Sequence, residues 1–245
     1  MIYTIIIANK QVNLKLIKTL RSIFIQKNLN ETEVIIVNKD IKYNLDYLKN
    51  IFPKIKFKII NEIDKNISDA FNKGLSISKN EFILFMGSGD TFYDDNVLSD
   101  IRKYTNDPKI DMIIGKVKIF NRNKYSYSKK FINKFSLISR LSIPHQALFL
   151  RRRYFTRFGN FDNKLTYAMD YDLILRSFNK FQKYKSIDRV ICNWSLDGIG
   201  KNKTQKILDE YNYIREKNNI LSPYLRKLIL MYSKMKFNIK TFLRV

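Results

Sequence analysis

The chain is almost without cysteine and histidine. A single cysteine, Cys192, excludes an internal disulfide and any cysteine-cluster metal site, and a single histidine, His145, excludes a multi-histidine zinc site and a His–His relay. Chemistry therefore falls to carboxylates, hydroxyls, amines or a metal held by oxygen. No uncharged apolar run approaches the ~20 residues that cross a bilayer. The segment Met1–Ala8 lacks the basic n-region and small-residue cleavage site of a signal peptide and reads as a buried strand. The expectation is a cytoplasmic protein, free or attached to a membrane face. Acid is also scarce: 22 Asp and Glu stand against 46 Lys and Arg, a formal net charge of +24. That surplus points to an anionic partner, whether nucleic acid, a membrane surface or a phosphorylated substrate. Part of it follows a composition crowded with Asn, Ile and Lys. Neither an internal repeat nor a low-complexity linker is visible.

What is present suits a folded core. With 245 residues, 45% of them hydrophobic and 14% aromatic, the chain fits one sizeable domain or a domain with a small appendage, a composition that argues against disorder despite the charge. Short apolar runs at Tyr3–Ala8, Val34–Val37, Phe57–Ile60, Phe82–Met86 and Ile110–Ile114 read as buried strands. Helical spacing separates them: Leu14 to Phe24, Ile41 to Ile51 closed by Pro53, Ile67 to Ile77, and a helix over Val97–Ile101 capped by Asp95. Strand–helix repeats of this kind imply an α/β fold, a mostly parallel sheet with helices on both faces. Ligands of such sheets bind beyond the carboxyl ends of the strands, which directs attention to Ala8-Asn9, Asn38-Lys39 and Gly87 to Asp90. The second half is less regular. A hairpin is expected across Asn121–Lys124, a strand over Gln146–Leu150, a helix over Asp170–Phe181 supported by Asp172 and Arg176, and a strand over Val190–Trp194. Two helices finish the chain, the second opening with Ser222 as cap and Pro223 at its first position.

Four places carry candidate chemistry. The strand Phe82–Met86 runs into Gly87-Ser88-Gly89-Asp90, where glycines allow close approach and a lone carboxylate suits a hard divalent cation beside a diphosphate. The alternative is an Asp that only caps the next helix. Asp69, Asn72 and Lys73 share one helix face, either framing a pocket or forming a solvated face with an Asp69–Lys73 pair. Asp170, at a helix start, is either a cap or a general base at a cleft mouth. His145, after Pro144, is either structural or catalytic.

Taken in order, these segments resemble glycosyltransferase family 2, whose members adopt the GT-A fold. The family pattern Glu-x-Asp-Lys-Gly-Ile-Tyr-Asp-Ala-Met-Asn-Lys-Gly is similar to Glu62 through Gly74, and Phe-Leu-Asn-Ser-(Asp/Gly)-Asp to Phe85-Met86-Gly87-Ser88-Gly89-Asp90. His145-Gln-Ala-Leu-Phe149, Gly159-Asn-Phe-Asp162, Met169-Asp170-Tyr171-Asp172-Leu173 with Arg176, and Asp197-Gly198-Ile199-Gly200 follow in family order over roughly residues 1–205. Asn38 stands where the family usually has Asp, Asn66 where it has Gly, Ser68 where it has Tyr, and Gly89 where it has the first of two carboxylates. The resemblance implies an inverting transfer of a sugar from a nucleoside-diphosphate donor, UDP being favoured, with Mn2+ or Mg2+ on Asp90 against the diphosphate. It implies Asp170 as catalytic base, and Ala8, Asn9 and Asn38 lining the nucleotide pocket with Lys65 reaching the base or phosphates. Asp69 and Asn72 would frame the donor, Ser88 and Gly89 belong to the metal-bearing loop, and His145 would lie near the diphosphate or acceptor.

Residues 206–245 read as basic amphipathic helices appended to this domain. Leu225, Leu228, Ile229, Tyr232, Met235, Ile239, Phe242 and Leu243 form a stripe, with Arg226, Lys227, Lys234, Lys240 and Arg244 opposite or flanking. Such a helix either lies in an anionic membrane interface or packs on the domain. The run Lys129–Arg153, with seven basic residues and no acid, adds a second patch. Together they suggest a saccharide acceptor on a polyprenyl-diphosphate lipid at the inner membrane face, in surface polysaccharide synthesis, and no nucleic-acid partner. A nucleic-acid-binding protein and an inactive nucleotide-sugar-binding relative stand as alternatives. No nucleic-acid-binding motif accompanies the charge.

Overall fold

The computed structural model describes residues 1–11, 13–121, 124–138, 143–181, 183–194, 200 and 203–242. Arg122 and Asn123 of the expected hairpin turn, Arg140 of the basic run, Asp197–Ile199 of the glycine loop, and Leu243 and Arg244 of the terminal stripe lie outside the described residues, as do the side chains of Ile239, Lys240 and Phe242.

The first half alternates as its apolar runs require. Strands β1 (Tyr3–Asn9), β2 (Thr32–Asn38), β3 (Lys56–Asn61) and β4 (Phe82–Gly87) pair in parallel in the order β3-β2-β1-β4. Helices α1 (Leu14–Phe24), α2 (Tyr47–Ile51) and α3 (Ile67–Ile77) connect them. Both faces of the sheet are covered at β1, β2 and β4, which read as apolar runs, while β3 lies at the edge and is only partly buried. Ile5, Ile7, Val34 and Ile36 pack on one side with Leu16, Leu20 and Ile23 of α1, and Ile6, Ile35 and Val37 on the other with Phe71 and Leu75 of α3. Gly74 lets α3 lie close on the sheet: a Cβ there would sit 2.4 Å from Ile6 Cγ2. Helix α2 is much shorter than Ile41–Ile51. The Asn38 amide donates to the carbonyls of Asp40 (2.8 Å) and Tyr43 (3.3 Å), and oxygens engaged in this way are lost to a helical ladder.

Beyond β4 the sheet becomes mixed. It continues β4-β8-β6-β9-β5, with β5 (Thr91–Phe92), β6 (Met112–Asn121), β8 (Leu148–Arg151) and β9 (Tyr184–Trp194), while β7 (Lys124–Tyr127) forms a hairpin with β6. Strand β8 is antiparallel to both β4 and β6, β9 is parallel to β6, and β5 is antiparallel to β9. The expected strand Ile110–Ile114 begins at Met112 and runs on to Asn121, with a register shift around Gly115, where Ile191 and the Arg189 carbonyl fill the place of a Cβ. Residues 145–147 form a 3-10 turn closed by Ala147 N–H to Pro144 O, so β8 starts at Leu148.

Helix α4 (Val97–Thr105) is not capped by Asp95; Asp94 accepts the Asn96 N–H at 3.0 Å, and the Asp95 carboxylate holds the Asn96 side chain. After α5 (Arg152–Phe158), helix α6 (Met169–Leu175) stops well before Phe181. The carbonyls of Leu173 and Ile174 accept from the hydroxyls of Tyr154 and Ser177 (2.9 Å each), and a 3-10 turn follows at Phe178–Lys180. Helix α7 (Thr204–Lys217) buries Ile214 against the body, and α8 (Pro223–Phe242), with Ser222 Oγ accepting the Leu225 N–H at 3.4 Å, packs on α7.

Candidate active site

A cavity of about 1030 Å3 opens beyond the carboxyl ends of β1 and β4. Ala8, Asn9, Gly87, Ser88 and Asp90 form its floor, Lys65 to Ile67 at the start of α3 one wall, and His145 with Asp170 another. Val117 and Ile119 of β6, Trp194 and residues of α7 close the far side.

Asp90 is buried, and Gly87 N–H donates to its Oδ2 at 2.9 Å. A Cβ on Gly87 would crowd that oxygen at 3.2 Å. Gly89 adopts φ +113°, a conformation suited to glycine, and its N–H donates to Thr19 Oγ1 of α1 (2.9 Å). Asp170, nearly buried at the second position of α6, accepts the Tyr171 N–H on Oδ1 (2.8 Å), and its Oδ2 lies 2.9 Å from His145 Nδ1. Burial works against a charged His145, but the hydrogen bond to Asp170 and the charges of Asp170 and Asp90 outweigh it and raise its pKa above the ordinary imidazole value.

The other candidates fall into two groups. Ala8, Asn9, Lys65, Ser88 and His145 line the cavity with Asp90 and Asp170. Asn38, Asp69, Asn72 and Gly89 are not part of its lining and are engaged in hydrogen bonds that hold it. Fully buried Asn38 donates to Asp40 O, Tyr43 O and Asn61 Oδ1 (3.1 Å), and accepts from Asn9 Nδ2 at 2.9 Å. Asp69 accepts the Lys65 N–H (2.9 Å) while Asn66 Oδ1 accepts the Asp69 N–H (3.0 Å), a reciprocal cap at the start of α3. Asn72 bonds Phe161 through both its N–H and C=O and reaches Asn163 Oδ1. Lys73 pairs with Glu62 at 2.9 Å rather than with Asp69.

The neighbouring carboxylates are committed elsewhere. Asp172 is fully buried among Arg176 (3.1 Å), Lys217 (3.3 Å) and Asn218 Nδ2 (3.2 Å). Asp162 binds Lys217 at 2.6 Å; despite burial, that hydrogen bond helps to lower its pKa. Helix α7 adds Glu210, whose carboxylate accepts the N–H groups of Thr166 (3.1 Å), Tyr167 (2.9 Å) and Ala168 (2.7 Å), fixing the turn that launches α6. Motif reading missed this residue, as it missed the Lys39–Asp64 pair (3.2 Å) at the cavity wall and Trp194. Trp194 ends a strand, a position that could have flagged it; Glu210 gave no local signal.

Residues 4–192 match the family model described as Glycosyl transferase family 2, and the chain belongs to that family. A curated relative, the PGL/p-HBAD biosynthesis glycosyltransferase of Mycobacterium tuberculosis, is 26% identical over 136 residues. That match takes in 54% of this chain and 52% of the relative, so the chain matches about half the length of that protein. Among solved structures, S. aureus TarS 1-349 in complex with UDP-GlcNAc superposes with a TM-score of 0.69 at 16% identity, over 94% of this chain and 70% of TarS. The mannosyltransferase PcManGT from Pyrobaculum calidifontis, in complex with GDP-Man and Mn2+, gives 0.66 at 14% identity, over 95% and 68%. The fold is GT-A.

Proposed function

We propose that this chain transfers a sugar from a nucleoside-diphosphate donor, UDP being favoured, to a hydroxyl of a lipid-linked saccharide, with inversion at the anomeric carbon. The observation that carries this reading is that Asp90 and Asp170 face one cavity at the strand ends, with His145 bonded to Asp170 and within the electrostatic reach of Asp90.

In this mechanism Asp170 is the base. Its Oδ1 is anchored by the Tyr171 N–H and its Oδ2 by His145, so the carboxylate is held in one orientation as it takes the acceptor proton. Lys65 attracts the donor's phosphates, and Asn9 and Ala8 contact the nucleoside. The residues present fit a hard divalent ion, Mn2+ or Mg2+. Beside the Asp90 carboxylate, the buried Ser88 Oγ and Asn9 Oδ1 have no hydrogen-bond partner among the described residues, and all are oxygen donors of the class such ions take. No group of three His, Cys, Asp or Glu that could hold a metal gathers among the described residues, so donor phosphates and water would complete the set. Such an ion supplies neutralisation of charge on the departing diphosphate.

The acceptor and location rest on charge and amphipathy. Helix α8 leaves Tyr224, Leu228, Met231 and Met235 exposed beside lysines, which supports a peripheral contact with an anionic membrane at the cytoplasmic face; no described helix is long and apolar enough to cross a membrane. A saccharide on polyprenyl diphosphate, in surface polysaccharide assembly, fits that placement.

The test is a donor screen with lipid-linked acceptors and Mn2+, scoring free nucleoside diphosphate. Release of inorganic diphosphate instead would indicate a nucleotidyltransferase. Asp170→Asn keeps the shape and most of the capping power of the side chain. Turnover is expected to fall by ~10²–10⁴ while UDP affinity, read from Trp194 fluorescence, stays nearly constant. Near-normal turnover would remove Asp170 from the mechanism.

A further inference from the structure

We propose that the β6–β7 hairpin and the segment after it form a second membrane contact, separate from α8, at the mouth of the cavity, and that its occupant is an anionic lipid surface. The proposal deepens the function above and rests on it for its purpose, presentation of a lipid-linked acceptor to Asp170.

The hairpin is two-faced. In its register Phe120 faces Tyr125 and Lys118 faces Tyr127, while Ile119 faces Ser126. Alternation along a strand puts Lys118, Phe120, Tyr125 and Tyr127 on one side of the ribbon and Ile119 on the other. Ile119 lines the cavity. The opposite face is exposed: Phe120 51%, Tyr125 65% and Tyr127 51%. Phe120 and Tyr125 have ring centroids 5.0 Å apart, and Lys118 Nζ lies 4.1 Å from the Tyr125 ring centre. The chain then turns through Lys129 and Lys130 to Ile132, 79% exposed, and Phe135, 64% exposed. Lys129, Lys130 and Ile132 all line the cavity, so the exposed apolar surface runs directly into it.

Charge selects the occupant. From Met112 to Phe161 the sequence holds no Asp or Glu. Lys124 and Lys129 pair with no carboxylate among the described residues; Lys116 is taken by Asp188, and Lys134 donates to Phe178 O. The core of a protein interface is depleted of lysine, whereas at a bilayer surface tyrosines sit at headgroup level and lysines reach the phosphates while their stems cover apolar ground. Each basic residue near an anionic leaflet adds attraction, and the exposed Ile132 and Phe135 add apolar burial. An exposed apolar surface of this kind, bordered by lysine, matches that chemistry.

The experiment measures co-sedimentation of the full chain with vesicles of phosphatidylglycerol and phosphatidylcholine, against phosphatidylcholine alone. The test variant is Tyr125→Ser/Tyr127→Ser/Phe135→Ser, all three side chains exposed; far-UV circular dichroism and Trp194-detected UDP binding verify its fold. Partitioning onto the anionic vesicles is expected to weaken by about tenfold or more, to be salt-sensitive, and to be absent on neutral vesicles. Met231→Ser/Met235→Ser on α8 should weaken it separately, and the two losses should multiply. Unchanged partitioning of the hairpin variant, equal binding of the native chain to neutral vesicles, or no vesicle binding at all would overturn the proposal. So would a loss confined to self-association or to binding of a single-stranded oligonucleotide. Absence of any UDP response with vesicle binding that depends on the hairpin would sink the donor reading and leave this one standing.

Discussion

His145 and Asp170 lie 25 residues apart in sequence and 2.9 Å apart in space, and the pair leaves a mark on stability as well as on the site. Because Asp170 and Asp90 raise the His145 pKa, the folded chain binds that proton more tightly than the unfolded one, where imidazole titrates at about 6.5. The sign follows from linkage: the stabilisation is whole below the unfolded value and is lost as pH rises through the folded one. Urea midpoints are therefore expected to decline from pH 6.5 upward in the native chain and to show a flatter profile in His145→Gln. Parallel profiles would show that the proton is not held preferentially in the fold.

Helices α6 and α7 are joined by charge. Lys217 lies between Asp162 and the fully buried Asp172, and its pKa is raised: burial opposes the charge, but the hydrogen bond to Asp162 and the two carboxylates prevail. Lys217→Met leaves Asp172 with Arg176 and Asn218 only, and is expected to cost about 1–3 kcal/mol in chemical denaturation, less than the ~3–5 kcal/mol of a fully stranded buried charge because Arg176 still pairs with it. Adding Asp172→Asn should recover part of that loss. These elements also show what a sequence discloses. Strands β1, β2 and β4 were legible because both their faces are covered and their apolar runs are nearly unbroken, and the edge strand β3 because of its short run Phe57–Ile60. Strand β5, the continuation of β6 through Gly115 and the early end of α6 were not, because each depends on partners remote in sequence: Asn193, Ile191, Tyr154. The late start of α2 follows instead from the nearby Asn38 side chain, which binds the carbonyls of Asp40 and Tyr43. At the site, Asp90 and Asp170 could be singled out from their place at a strand end and a helix start. Glu210, which secures the turn before Asp170, lies 42 residues beyond Ala168 and carries no local pattern.

For the molecule as a whole, the charge surplus is spread unevenly, and so is the attachment of the C-terminal helices. Helix α7 contributes Glu210, Ile214 and Lys217 to the body, whereas α8 packs on α7 and leaves much of its apolar stripe exposed. We expect a chain ending at residue 221 to keep cooperative unfolding and UDP binding, and one ending at residue 205 to lose both. If the shorter chain folds and binds, the separable unit begins at α7 rather than α8.

Asn61, Asn38 and Asn9 form a rung across β3, β2 and β1 whose hydrogen bonds run in a single direction, because the Asn38 amide must donate to three oxygens while its own oxygen accepts from Asn9. An aspartate at that position would turn a carboxylate toward those same three oxygens with no exposure to water. Asn38→Asp is expected to lower stability by about 2–4 kcal/mol in urea unfolding, the cost of buried acceptors left unpaired beside a charge. The asparagine is thus locked into its surroundings: two turn carbonyls and the Asn61 side chain converge on an amide donor, and aspartate cannot take its place unless those acceptors move with it.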